Sequence, residues 1–264
     1  MKLEVLVSTL NPNPKELITK MNIQTDAIII CQSDKVAYEE VKIKNNNVKI
    51  YYFNERGVGL SRNNALMRAT GKYVLFADDD EMFVDNYEEI IINEFKKNNA
   101  DFIVFDINAY GSEVRKYKKI YKDKKIHFNN CLKYGSVRFA VNTETIRKKN
   151  VVFNQLFGGG CIYGSGEDSI FIFECIKRKM KVYQNHNIVA NVNMEKSSWF
   201  RGYNEKYYMD KGALFAALNS KLSFLYLIAV ILKNNKTDKD NPLKFKLKCA
   251  IKGFKSFIKS EVKY

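Results

Sequence analysis

Short apolar runs alternate with stretches of helical period through residues 1–110. Leu3–Ser8 (LEVLVS), Asp26–Cys31 (DAIIIC), Val48–Phe53 (VKIYYF), Tyr73–Ala77 (YVLFA) and Ala100–Phe105 (ADFIVF) have the length and apolar content of buried strands. Between them, Leu17, Ile18 and Met21 follow Pro14, which suits a helical first turn. Ser61 as a cap and Gly71 as a stop predict a helix over 62–70. A further helix, capped by Asp85, carries Tyr87, Ile90, Ile91 and Phe95 on its buried side. This order, β-α-β-β-α-β-α-β, predicts an α/β protein with a mostly parallel, doubly wound sheet flanked by helices. Later segments are less regular: a strand pair or sheet edge over 134–141, a helix over 143–149, a helix from Ile170 to Met180 and a strand over 181–184. Leu222–Leu232 is the longest apolar run, well short of the ~20 residues needed to span a bilayer. It reads as a core or an interfacial helix.

In an open α/β sheet, ligands gather at the C-terminal edge of the strands. Four polar loops converge there: Thr9–Asn11, Gln32–Asp34, Gly57–Arg62 and Asp78–Asp80. Adjacent like charges are unfavourable unless a cation sits among them. A hard ion, Mg²⁺ or Mn²⁺, suits carboxylate oxygen and bridges to phosphate. In extended chain Asp78 and Asp80 point one way and Asp79 the other. The alternative is a solvated acidic turn. A second constellation, FGGGCIYGSGEDSIFIF (157–173), sets Glu167 and Asp168 at the start of a helix behind a glycine-rich loop. Acids there either complement the helix dipole or supply a general base covered by a mobile loop.

The chain has 264 residues, 46% of them hydrophobic, enough for one large domain with an appendage or two small ones. Its five cysteines, Cys31, Cys131, Cys161, Cys175 and Cys249, include no CxxC pair and read as reduced thiols of a cytosolic protein. No signal-peptide core follows Met1. A net charge of +15 implies an anionic partner. From Ser220 onward 11 Lys face 3 acidic residues. There Leu243, Leu247, Ala250, Ile251, Phe254, Phe257 and Ile258 form an apolar stripe beside Lys244, Lys248, Lys252, Lys255 and Lys259. Such a helix either lies on an anionic membrane surface or packs on the domain with a solvated lysine face. Nucleic acid is not the expected partner: no recognition motif is present, and the three aspartates would repel a backbone. A metal-dependent nucleotidyltransferase would also use paired aspartates, but Thr9–Pro14 lacks the glycine-rich phosphate loop expected of one.

Together the motifs resemble a family 2 glycosyltransferase with the GT-A fold, a Rossmann-like sheet. The polar turn Ser8–Asn11 ends the first strand. ERGVGLSRNNAL (55–66) is similar to the family's ExGxxxARNxG-type segment, GKYVLFADDDE (71–81) to its DxD-bearing strand and GSGEDSIF (164–171) to its GED motif. The resemblance implies transfer of a sugar, usually UDP-linked, with inversion, in cell-surface polysaccharide synthesis. It implies that Asp80, with Asp78, holds Mn²⁺ or Mg²⁺ on the diphosphate. Asp168 is the implied base, with Glu167 next in line. Thr9, Asn11, Gln32, Asp34, Arg62, Asp78 and Asp79 would contact the nucleotide-sugar, with a surface arginine the alternative for Arg62, and His186 is either a further metal or phosphate ligand or a polar surface histidine. At the second strand the family's DDGS-like turn is replaced by Cys31-Gln32-Ser33-Asp34. The aromatics around Trp199 offer an acceptor shelf or a helix-packing surface. The expected division is a catalytic domain over 1–200, with a nucleotide-sugar half (1–110) and an acceptor half (111–200), and a basic helical extension over 201–264. The expected acceptor is a glycan or lipid-linked glycan, and the expected location is cytoplasmic, peripheral on the inner face of the membrane. A non-catalytic membrane-associated scaffold is the rival.

Overall fold

Alternation along the first strand divides the molecule into two faces. In β1 (Leu3–Thr9), Leu3, Val5 and Val7 enter one apolar core and Leu6 enters another. The sheet between these cores belongs to a computed structural model that describes residues 2–111, 117–135, 138–194, 202–220, 222–235 and 237–261. One core packs under α1 (Glu16–Lys20) and α3 (Tyr87–Asn98). The other packs under α2 (Val58–Arg68), α4 (Thr143–Lys148) and α5 (Glu167–Lys177) and continues into α6 (Glu205–Ala217), α7 (Ser223–Asn234) and α8 (Leu243–Glu261).

Ten strands form one sheet, ordered β3-β4-β2-β1-β5-β9-β7-β10-β6, with β8 paired to β10. The further strands are β2 (Asp26–Gln32), β3 (Ala37–Ile43), β4 (Asn46–Phe53), β5 (Tyr73–Asp78), β6 (Glu81–Phe83), β7 (Phe102–Tyr110), β8 (Lys124–Lys125), β9 (Phe139–Asn142) and β10 (Val182–Asn193). β1 pairs in parallel with both β2 and β5, and β2 with β4. Because β9 runs antiparallel to β5 and β7, the direction of β5 is resumed by β7 and its parallel partner β10. The mostly parallel α/β expectation therefore holds. The chain leaves β1 toward β2 and β4 and returns to β5 on the other side, so the switch point lies between the C-terminal ends of β1 and β5.

Some boundaries move for physical reasons. Ser61 does not cap α2 but lies inside it, and its hydroxyl bonds Ser8 at 3.0 Å. The start falls at Gly57, whose φ of 117° suits only glycine. Asp85 accepts from the Asn22 and Gln24 side chains, and Asn86 precedes α3 instead. β3 is an edge strand whose charged, half-exposed alternation (AYEEVKI) hides it among polar residues. β10 runs well beyond residue 184, carried past its bulges by pairing with β7. All five cysteines are free, and only Cys161 is not fully buried. Trp199, Arg115 and Lys116 lie outside the described residues.

The helical extension is joined tightly to this frame. A Cβ at Gly212 would lie 1.9 Å from the Ala250 carbonyl, and one at Gly253 would lie 2.0 Å from that of Met209, so α6 and α8 cross backbone to backbone. The apolar stripe of α8 faces inward, with Ala250 and Phe257 buried. Among the described residues no helix is long and apolar enough to cross a membrane.

Candidate active site

Asp78 ends β5 at the switch point, one strand from Ser8 of β1. Its Oδ1 accepts from Arg62 Nη2 at 2.8 Å, and its backbone N–H donates to Glu81 at 2.6 Å. Asp79 and Asp80 lie in the turn after β5 rather than in extended chain, and Asp79 accepts from the Thr9 hydroxyl. The Asn11 N–H donates back to Thr9 Oγ1 at 2.8 Å, which closes the turn after β1. Asp80 is exposed; crowding by protein atoms and then the charges of Asp78 and Asp79 raise its pKa.

Opposite this edge, α5 begins at Gly166, whose φ of 127° again requires glycine. The first two helical residues, Glu167 and Asp168, point at Arg62. Its Nη1 lies 3.2 Å from Glu167 Oε1 and 3.1 Å from Asp168 Oδ1. One guanidinium, 2% exposed, thus joins three carboxylates from two distant segments, while its Nε has no acceptor. Burial would weaken such a cation, but Asp78, Asp168 and Glu167 hold it protonated. Glu167 is itself buried; that burial, and then the Asp168 charge, push its carboxyl up to about 7. Asp168 keeps 23% of its side chain open to a cleft of about 300 Å³.

The cleft wall combines Arg62, Asp78 and Asp168 with Tyr134, Lys211 and Leu214. The last two come from α6, so the extension completes the cavity. α6 also holds the glycine loop: Asp210 accepts from Gly164 N–H at 2.9 Å, and Lys206 donates to the Ile162 carbonyl at 2.9 Å. Gly158 has no room for a side chain, because a Cβ there would lie 2.6 Å from Val58 and 2.8 Å from Glu167.

The structure thus unites Thr9 with Asp79, and Arg62 with Asp78, Glu167 and Asp168. Gln32 and Asp34 serve the adjoining loop: Gln32 Oε1 accepts from Gly57 N–H at 2.8 Å, and Asp34 pairs with Arg56 at 3.0 Å. His186 is engaged elsewhere, its Nδ1 2.6 Å from Asp123. Two residues escaped the sequence reading, Glu81 buried behind Asp78 and Lys211 on the cleft wall. Glu81 is buried with Oε2 unpartnered, and burial raises its pKa well above the usual range; as the fourth acid of DDDE it looks like one more surface charge. Lys211 looks like an ordinary helix-surface lysine, yet desolvation lowers its pKa.

No three His, Cys, Asp or Glu side chains among the described residues form a ready cage for a metal. The donor set fits the other common arrangement, in which Mg²⁺ or Mn²⁺ takes one or two carboxylates and completes its shell with substrate phosphate and water. Asp80 and Asp78 are oxygen donors of that kind.

The comparisons with known proteins agree with this arrangement. Residues 28–153 match the glycosyl transferase family 2 profile, a span that contains the Arg62 segment and the three aspartates. UDP-Glc:alpha-D-GlcNAc-diphosphoundecaprenol beta-1,3-glucosyltransferase WfgD of Escherichia coli is 28% identical over 113 residues, 40% of this chain and 43% of that protein. The cholesterol galactosyltransferase of Borreliella burgdorferi is 22% identical over 159 residues, 54% of this chain and 44% of that protein. The chain thus matches less than half the length of either relative. S. aureus TarS 1-349 in complex with UDP-GlcNAc superposes with a TM-score of 0.66 at 15% identity, over 91% of this chain and 74% of that one. The profile match, the ordered motifs and the GT-A fold agree in supporting a family 2 glycosyltransferase.

Proposed function

We propose that this protein is an inverting glycosyltransferase that moves a sugar from a UDP-linked donor to a hydroxyl of a glycan or lipid-linked glycan. The observation that carries the proposal is Arg62, which ties the aspartate-bearing end of β5 to the start of α5 at one cleft. Asp168 takes the proton from the attacking hydroxyl. Its partial exposure favours it over Glu167, which has a pKa better suited to a base but is enclosed. Glu167 serves instead to hold Arg62, whose charge keeps Asp168 and Asp78 in place. Thr9 fixes Asp79 toward the nucleotide side, and the Gln32 and Asp34 loop borders it. Asp80 and Asp78 would hold Mn²⁺ or Mg²⁺, which would supply charge neutralisation for the departing diphosphate. Lys211 adds a cation on the cleft wall for an anionic group of donor or acceptor. Both curated relatives carry lipids in their names, diphosphoundecaprenol and cholesterol, which supports a lipid-linked acceptor and a peripheral place at the inner face of the membrane.

The test is nucleotide release from a panel of UDP-, GDP- and dTDP-sugars with and without Mn²⁺, which needs no known acceptor. The expected result is metal-dependent release of UDP from one donor, lost in Asp80→Asn and reduced about 10²–10⁴-fold in Asp168→Asn. No release, together with no nucleotide or donor binding by calorimetry, would overturn the proposal.

A further inference from the structure

The apolar run 222–232 forms α7, and the fold leaves one of its faces unpartnered. Leu227 and Ile231 are buried against the rest of the extension. On the other side Leu222, Leu225 and Leu232 are 50%, 64% and 49% exposed. Phe224 and Tyr226 are also exposed, with Phe224 edge-on to Phe254 of α8 at 5.3 Å. A helix that is apolar all round is ordinarily enclosed by protein or lipid. This one has 12 residues, too few to span a bilayer.

The surroundings indicate what covers it. α8 lies alongside, its apolar stripe already docked on α6, and it presents Lys244, Lys248, Lys252, Lys255 and Lys259 to solvent with Ile258 beside them. An exposed apolar face bordered by a lysine row matches an anionic bilayer surface: leucines enter the acyl boundary and lysines meet the headgroups. A second copy of the chain would set one lysine row near another.

We infer that the α7–α8 face is a docking surface for an anionic lipid bilayer, with α7 as the inserted element and α8 as its electrostatic rim. The inference deepens the lipid-linked acceptor reading and rests on it for its purpose. α6 packs against both helices and supplies Lys211 and Leu214 to the cleft, so a bilayer on this face lies about one helix layer from the site. Phe257 of α8 also packs on Phe157 and Tyr163 of the glycine loop.

The experiment is co-sedimentation of the full chain with phosphatidylglycerol-containing and pure phosphatidylcholine vesicles, with light scattering for oligomeric state. The wild type is expected to bind the anionic vesicles. Leu225→Glu with Leu232→Glu should weaken binding at least about tenfold at every salt concentration. Lys248→Glu with Lys255→Glu should weaken it about fivefold or more per lysine at low salt and flatten the salt dependence. All substituted positions are exposed, and equal thermal midpoints verify folding. Unchanged binding by the leucine variant overturns the inference. So does a wild type that binds no vesicles, whether it self-associates through α7 or stays monomeric. UDP release by the leucine variant should match the wild type, so the inference can fail while the transferase reading stands, and the reverse.

Discussion

Arg62 and Lys246 are both almost inaccessible to water, yet their neighbourhoods differ in kind. Lys246, on α8, donates to Asn235 at 2.9 Å and to the Asp238 carbonyl, and lies 3.4 Å from one Asp238 carboxylate. That carboxylate in turn accepts from Tyr208 and from Asn241 at 3.1 Å. Charge is matched one to one, and the ammonium has an acceptor for each proton. Arg62 faces Asp78, Glu167 and Asp168 with one donor idle, beside an open cleft. A closed pair of the first kind joins helices. An unbalanced cluster of the second kind is the pattern that shifts pKa values at functional sites.

The sharpest way to break the comparison is Arg62→Met. Removing the cation strands three carboxylates and should cost about 3–5 kcal/mol of stability. Chemical denaturation measures this, and nucleotide release should vanish in whatever protein stays folded. Lys246→Met should lower the thermal midpoint by about 10 °C. Adding Asp238→Asn, which removes the stranded charge but keeps an acceptor for Tyr208, should restore most of that loss. Nucleotide release per folded molecule should stay unchanged throughout. If Lys246→Met impaired release without loss of stability, the two clusters would not differ as described.

The smallest effects lie in the pH dependence, and there the two clusters have opposite signs. Glu167 is raised from 4.5 to about 7, so between those values the folded protein holds more protons than the unfolded chain. Its contribution therefore falls as pH rises through that window, and Glu167→Gln should flatten the slope in pH-dependent unfolding. Burial would raise Asp238, but hydrogen bonds from Tyr208 and Asn241 hold it down to about 2 from 3.8. Its contribution is present above 3.8 and is lost as pH falls toward 2, a slope that Tyr208→Phe should reduce.

Much of this protein was legible without coordinates. The apolar runs at Leu3, Asp26, Val48, Tyr73 and Ala100 became β1, β2, β4, β5 and β7; a strand buried on both faces, as β1, β2 and β5 are, needs continuous apolar residues whatever its neighbours are, and β4 is buried on alternate residues only. The placement of Asp78 and Asp79 after a buried apolar run, and of Glu167 and Asp168 at a helix start after Gly166, was equally local. Edge strands β3 and β6 and the length of β10 were not legible, because partners far along the chain stabilise them. Nor was the joining of Arg62 to carboxylates 16, 105 and 106 residues away. The fate of the C-terminal stripe was likewise decided in three dimensions. Periodicity marks α8 as amphipathic, but only the close crossing at Gly212 and Gly253 turns its apolar side onto α6 and leaves α7 facing outward. Sequence specifies which faces are apolar, because that follows from the period of the chain. What covers each face depends on contacts between distant segments, and tertiary structure alone selects them.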